Sequence, residues 1–246
     1  MKNLVIFHIP RTAGKWVHET VGLNGFGPSV KWKGHIPLRD SSSFYPLSGS
    51  VAVTVRDPLS WYQSQENFTK FMAEPNPMKL LTEGGRFSLD EALSRMESPA
   101  ELEALEARWP RVSFFKHKLT ASPWGFLARS GLGLWSWSIV NALSMATPRW
   151  ADSEMVMATL SKVFLIRQSS LREDLEVLFN RPLTFPAETS LERDDRSSEY
   201  QKEATKDLSS RHGFVEREMA IWDMIENLDQ SKIARKKTLI PLLRGF

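Results

Sequence analysis

The chain has 246 residues, 41% of them hydrophobic and 25% charged, with a formal net charge of +3 at neutral pH. That length suits one large domain, or a core with an insertion, able to bury a sizeable apolar interior. The small positive charge permits an anionic ligand at a local basic site but does not suggest a protein that coats nucleic acid. The lack of cysteine excludes disulfides and thiolate metal sites. No stretch reaches the roughly 18 apolar residues of a spanning helix, and the N-terminus, MKNLVIFHIPR, lacks the h-region and cleavage site of a secretory signal.

In chain order, residues 4–9 (LVIFHI) are an apolar, β-branched run that predicts a strand buried on both faces. Pro10 ends it, residues 12–14 form a small-residue turn, and apolar residues at helical spacing then continue to Gly22. After a Gly/Ser loop, residues 31–36 predict a short strand with His35 near its end, and residues 50–55 predict a second confident strand. Asp57 as N-cap and Pro58 at the first helical position open a helix to about Met72, with Ser60 and Ser64 on one face. Capping boxes at Ser88/Glu91 and Ser98/Glu101 open two more helices. Four tryptophans crowd residues 120–152, which predict a partly helical insertion outside the sheet, helical over about 134–145. Residues 163–166 predict a third strand, followed by a helix capped by Ser170 and Glu173 and closed by Asn180 and Pro182. Ser198 with Gln201 opens a helix broken at Gly213, and residues 215–228 are amphipathic. The expectation is a single α/β domain over residues 1–246, with a central, mainly parallel sheet flanked by helices and a Trp-rich helical insertion at about 100–155.

A strand, a tight loop and a helix form the usual α/β phosphate cradle, because first-turn amides lack intrahelical partners and the helix dipole favours an anion. Arg11 and Lys15 bracket this one. A Walker loop, G-x-x-x-x-G-K-S/T, fits Gly14 and Lys15. Ile9, however, stands at its first glycine, and Trp16 replaces the hydroxyl that would hold magnesium. The second predicted helix places Arg56 at another strand end and helix start, where ligands bind in open α/β sheets. The five histidines show no metal-ligand spacing, and Glu192, Asp194 and Asp195 lie on an ordinary charged stretch, so no metal is expected.

The segment HIPRTAGKW resembles the 5′-phosphosulfate loop of sulfotransferases that use 3′-phosphoadenosine-5′-phosphosulfate (PAPS), usually P-K-S/T-G-G/T-S/T and often followed by Trp. It is closest to the carbohydrate-type and bacterial branches, whose loops read H-I-P-K/R-T-G-G. VTVRDPLSWYQS resembles their 3′-phosphate motif, a strand-end Arg followed eight positions later by Ser, here Arg56 and Ser64. The resemblance implies a P-loop NTPase-like sulfotransferase fold that transfers a sulfuryl group from PAPS to an acceptor hydroxyl, on a carbohydrate or small molecule, without metal.

By the same resemblance Arg11 stands where the family has its catalytic Lys, and Lys15 replaces a Ser/Thr. Thr12, Ala13, Gly14, Lys15 and Trp16 match the loop whose amides and hydroxyls bind the 5′-phosphate, with Trp16 matching an adenine-stacking aromatic. The alternative is an ordinary βα turn with Trp16 in the core. His35 in KGHIPL resembles the G-H-L/F/I-P histidine that serves as general base, and imidazole titrates near neutrality. His8 and His18 read as a strand residue and a helix-surface residue.

Golgi members carry a membrane anchor before the catalytic domain, whereas this chain begins at the cradle, so a cytoplasmic location is expected. In the insertion, Trp135 and Trp137 cannot share a helical face, so one can face the core while the other is freed to meet the acceptor; the alternative is that both pack in a helical hairpin. The competing functions are a small-molecule kinase, which needs ATP and magnesium, and a catalytically silent nucleotide-binding protein on the same scaffold.

Overall fold

The computed structural model describes residues 4–33, 50–70, 76–109, 122–144, 148–187, 208, 210–229 and 231. Its centre is a four-stranded, all-parallel sheet made of β1 (Leu4–His8), β2 (Val30–Lys33), β3 (Ser50–Val55) and β4 (Phe164–Arg167), in the spatial order β2-β1-β3-β4. Side chains alternate across the sheet because the strand period is two. Val5, Phe7, Val51, Val53, Val55 and Leu165 face one apolar core, and Leu4, Ile6, Ala52, Phe164 and Ile166 face another. Burial on both faces is why these strands read as continuous apolar runs.

Helix α1 (Gly14–Leu23) lies on the second face, with Trp16, Val17 and Val21 in the same core as Leu171 and Leu175 of α9 (Leu171–Phe179). The first face is covered by a helical layer. It contains α2 (Pro58–Thr69), α3 (Pro77–Leu81), α4 (Leu89–Met96), α5 (Pro99–Arg108), α6 (Trp124–Ser130), α7 (Leu134–Leu143) and α8 (Ser153–Leu160), all between β3 and β4. The last of that layer, α10 (Gly213–Glu226), packs on α2 and α8. Among the described residues no helix is long and apolar enough to cross a membrane.

Local chemistry explains most boundaries. Asp57 Oδ1 accepts the Ser60 amide at 2.8 Å with Pro58 at the first helical position, as the sequence predicts. Ser88 and Glu91 form a reciprocal capping box, and Ser98 caps α5 through the Glu101 amide. Three expectations shift. The second strand is Val30–Lys33, so residues 34–36 with His35 lie outside the described residues. Ser170 does not cap α9 with Glu173; its hydroxyl donates to Asp174 Oδ2 at 3.0 Å, a carboxylate already gripped by Arg167 at 2.6 Å. The break expected at Gly213 falls one residue earlier: residues 210–211 are helical, His212 is not, and Gly213 starts α10. The expected helix opening at Ser198 lies outside the described residues.

Candidate functional site

The sheet order creates a switch point. From β1 the chain turns to α1 on one face, and from the neighbouring β3 it turns to α2 on the other. The loops after these adjacent strands therefore part, opening the crevice at their carboxyl ends where α/β proteins bind ligands. Residues 9–13 and Arg56 lie there.

One stripe of α2 holds the first loop. Trp61, Ser64, Gln65 and Phe68 recur at i, i+3, i+4 and i+7, a single helical face. Trp61 Nε1 donates to the Pro10 carbonyl at 2.8 Å, and Gln65 Nε2 reaches the same oxygen at 3.4 Å. Arg11 Nε donates to Ser64 Oγ at 2.9 Å, while its guanidinium lies 4.7 Å from the centre of the Phe68 ring. Arg11 and Ser64, predicted as parts of two separate phosphate motifs, are thus directly bonded. With one Ser64 lone pair engaged by Arg11, the hydroxyl proton remains to be donated.

The loop backbone is strained. Arg11 and Ala13 have φ of 67° and 58°, a left-handed conformation that L-residues adopt at a cost of about 1–2 kcal/mol. Ala13 caps α1 with no side chain, and the first turn of α1 carries no acidic residue. Such outliers persist where the surroundings over-determine them, and they cluster at ligand sites.

Beneath the loop lies a polar knot that sequence reasoning missed. Thr12, 1% exposed, donates its hydroxyl to the Ile9 carbonyl at 2.6 Å and lies 2.5 Å from Thr54 Oγ1. His8 Nδ1 is 3.3 Å from Thr54 Oγ1 and 3.4 Å from Thr12 Oγ1. A Cβ on Gly14 would stand 2.0 Å from that nitrogen, so the glycine of the loop admits the imidazole. The His8 ring stacks on Trp32 of β2 with centroids 5.8 Å apart.

The other predicted residues fare unequally. Arg56 is 7% exposed at the end of β3. Lys15 projects into solvent, with Nζ 3.9 Å from Glu19 one turn along α1. Trp16 is not a surface for a base. It is buried, and Phe185 stacks on it at 5.3 Å with the planes 8° apart. The core position weighed for Trp16 is the one it takes. The Thr12 hydroxyl is likewise committed inward, to the Ile9 carbonyl and Thr54. His35 lies outside the described residues.

The insertion is helical over Leu134–Leu143, and of the two readings of its tryptophans the packing one holds. Trp135 and Trp137 are 1% and 6% exposed. Helix α7 is buried on nearly every side, including Leu134, Ile139, Val140 and Leu143, so both i and i+2 positions find a core. Trp135 instead links the helical layer to the crevice, its Nε1 donating to the Arg56 carbonyl at 2.8 Å.

The seat of α7 is a second polar network. Glu218 of α10, fully buried, accepts the amides of Gly133 at 2.9 Å and Ser136 at 2.8 Å, supplying the N-cap that Gly133 cannot. Tyr62 of α2 donates to Glu218 Oε2 at 2.8 Å and accepts the Trp135 amide at 3.2 Å. Burial pushes the Glu218 carboxyl up to about 7 against the pull of these donors, and burial plus the Glu218 charge holds Tyr62 well above its ordinary value. A Cβ on Gly133 would meet Tyr62 Oη at 2.1 Å, so only glycine fits. One sequence signal marks Glu218: it falls in the apolar stripe of α10 with Phe214, Val215, Ile221, Trp222 and Ile225.

No protein-family model matches the chain, and no curated protein or solved structure matches it.

Proposed function

We propose that the chain is a PAPS-dependent sulfotransferase of the P-loop-like type, moving a sulfuryl group to the hydroxyl of a carbohydrate or small molecule. The observation that carries this reading is the Arg11–Ser64 bond, which draws the two phosphate-like motifs of the sequence into one crevice at the switch point. The chain's groups suit the two phosphate ends of such a donor. Arg11 and Arg56 supply fixed positive charge, Ser64 a hydroxyl proton, and the first turn of α1 its amides. Bound there, PAPS would supply an activated sulfuryl group with a stable bisphosphate leaving group. Arg11 and the α1 amides then face charge that grows on the leaving phosphate, and fixed donors stabilise such charge without reorganising. Lys15 stands one residue into α1, at the positive end of the dipole.

Thermal denaturation with the 3′,5′-bisphosphate of adenosine, with ATP and magnesium, and with no ligand tests this directly. The bisphosphate raises the melting temperature in the presence of a chelator. Stabilisation by ATP and magnesium alone supports the kinase reading instead, and binding of the bisphosphate without turnover of PAPS supports the silent scaffold.

A further inference from the structure

Two buried indoles hold the two strand ends of the crevice. The register of the sheet pairs His8 of β1 with Thr54 of β3, and two residues further on it brings Pro10 level with Arg56. Each of these residues gives its carbonyl to a tryptophan of the helical layer. Trp61 Nε1 of α2 donates to the Pro10 carbonyl and Trp135 Nε1 of α7 to the Arg56 carbonyl, both at 2.8 Å. Tyr62 joins the two donors. Its ring meets that of Trp61 edge-on with centroids 5.2 Å apart, and its hydroxyl accepts the Trp135 amide at 3.2 Å. Such bonds are not general for the tryptophans of this chain: among the described residues the buried indole N–H groups of Trp16, Trp124 and Trp137 have no hydrogen-bond partner.

We propose that Trp61 and Trp135 are a pair of positioning residues, which set the loop after β1 and the end of β3 at the spacing that a ligand with two phosphates requires. This rests on the sulfotransfer reading for its ligand. An indole is a rigid plane with a single N–H, so a ring fixed by packing aims its donor in one direction. A carbonyl held by that donor fixes a whole peptide plane, and with it the nitrogen of the next residue. At Pro10 that residue is the left-handed Arg11, and at Arg56 it is Asp57, the N-cap of α2. Trp61 therefore acts through the loop that would meet the 5′-phosphate end, and Trp135 through the strand end that would meet the 3′-phosphate. Both act from the helical layer, so the packing of that layer sets the distance between the two ends.

The test removes the donor and keeps the ring. In the full-length chain, one tryptophan at a time is replaced by β-(3-benzothienyl)alanine, which has the same bicyclic shape and no N–H. Trp137, whose N–H has no partner among the described residues, is the control. Calorimetry with the 3′,5′-bisphosphate of adenosine and with its 5′-monophosphate separates the two roles. The Trp61 isostere is expected to bind both nucleotides about tenfold more weakly, the scale of one buried hydrogen bond left unmade. The Trp135 isostere is expected to lose about tenfold on the bisphosphate and nothing on the monophosphate. The Trp137 isostere binds both as wild type does. Equal losses in all three variants, wild-type affinity in the first two, or a Trp135 variant that loses both nucleotides alike overturns the proposal. A second readout needs no ligand. The amide ¹⁵N resonances of Arg11 and Asp57, whose nitrogens share a peptide with the held carbonyls, are expected to move in the Trp61 and Trp135 isosteres respectively and to stay in place in the control. Unmoved resonances also overturn the proposal. A wild-type protein that binds neither nucleotide overturns the sulfotransfer reading, and the hold on the two strand ends is then decided by the resonances.

Discussion

Helix α2 touches two polar networks that differ in kind. On one side its Tyr62 enters the seat of α7, where a fully buried carboxylate accepts two amides and a phenol. On the other side its Ser64 and Phe68 meet Arg11, which like Ala13 is left-handed, at the mouth of the crevice beside the end of β1. The seat is closed around Glu218, whose carboxylate takes two amides and the Tyr62 phenol, and such a buried network rigidifies a fold. The crevice has Arg11, Arg56, a serine hydroxyl and a strained loop at its edge. One helix thus joins the seat of α7 to the loop after β1.

The largest expected effect breaks the closed side. Glu218→Ala removes the acceptor of Gly133, Ser136 and Tyr62 together. Breaking a buried charged network by removing one partner costs about 3–5 kcal/mol, to be read in urea denaturation. A loss below about 1 kcal/mol, the scale of one ordinary hydrogen bond, refutes the role of Glu218 as cap of α7.

The same carboxyl makes stability depend on pH. Its folded pKa of about 7 lies above the ordinary 4.5, so the folded protein binds the proton more tightly than the unfolded chain. Its contribution is complete below pH 4.5 and is lost as pH rises through about 7. The difference corresponds to roughly 3 kcal/mol, at 1.36 kcal/mol per pKa unit. Denaturation midpoints on either side of that window should show it, and Glu218→Gln should flatten the profile. An unchanged slope in that variant assigns the titration elsewhere.

On the open side, Arg56→Ala removes a charge-assisted contact worth about 1.5–3 kcal/mol, a ten- to hundredfold loss of bisphosphate affinity by calorimetry. Ser64→Ala loses less, about 1 kcal/mol or fivefold, because a neutral hydroxyl is removed. These two changes should leave the melting temperature of the ligand-free protein nearer to wild type than Glu218→Ala does. Equal destabilisation by all three would erase the distinction between the two networks.

The parallel sheet and the places of Arg11, Arg56 and Ser64 were legible because their signals are local. Apolar runs ending in Pro10 and Arg56, an Asp-Pro cap, and residues at fixed offsets from strand ends all speak through a few neighbours. The polar knot and the seat of α7 were not, because they join residues far apart in sequence. Thr12 finds Thr54, and Gly133 finds Glu218, only once the sheet order and the helical layer bring them together. Tryptophan misled twice for one reason. An indole reads as a ligand surface wherever a motif precedes it, but Trp16 and Trp135 carry enough apolar area that the core claimed both. His8 is the strand residue the sequence predicts, and only its nearness to Thr12 and Thr54 was hidden.

The cap on α7 also bears on how the chain is made. Glu218 follows Leu143, the last residue of α7, by 75 residues. At roughly 5–20 residues per second, the ribosome completes α7 about 4–15 seconds before the carboxylate that seats it. For that interval α7, apolar on nearly every side, has neither its N-cap nor the packing of α10. The nascent chain therefore displays Trp135 and Trp137 to the cell until α10 arrives. Holdase chaperones, which bind such unpacked segments, would meet this protein at that stage of its synthesis.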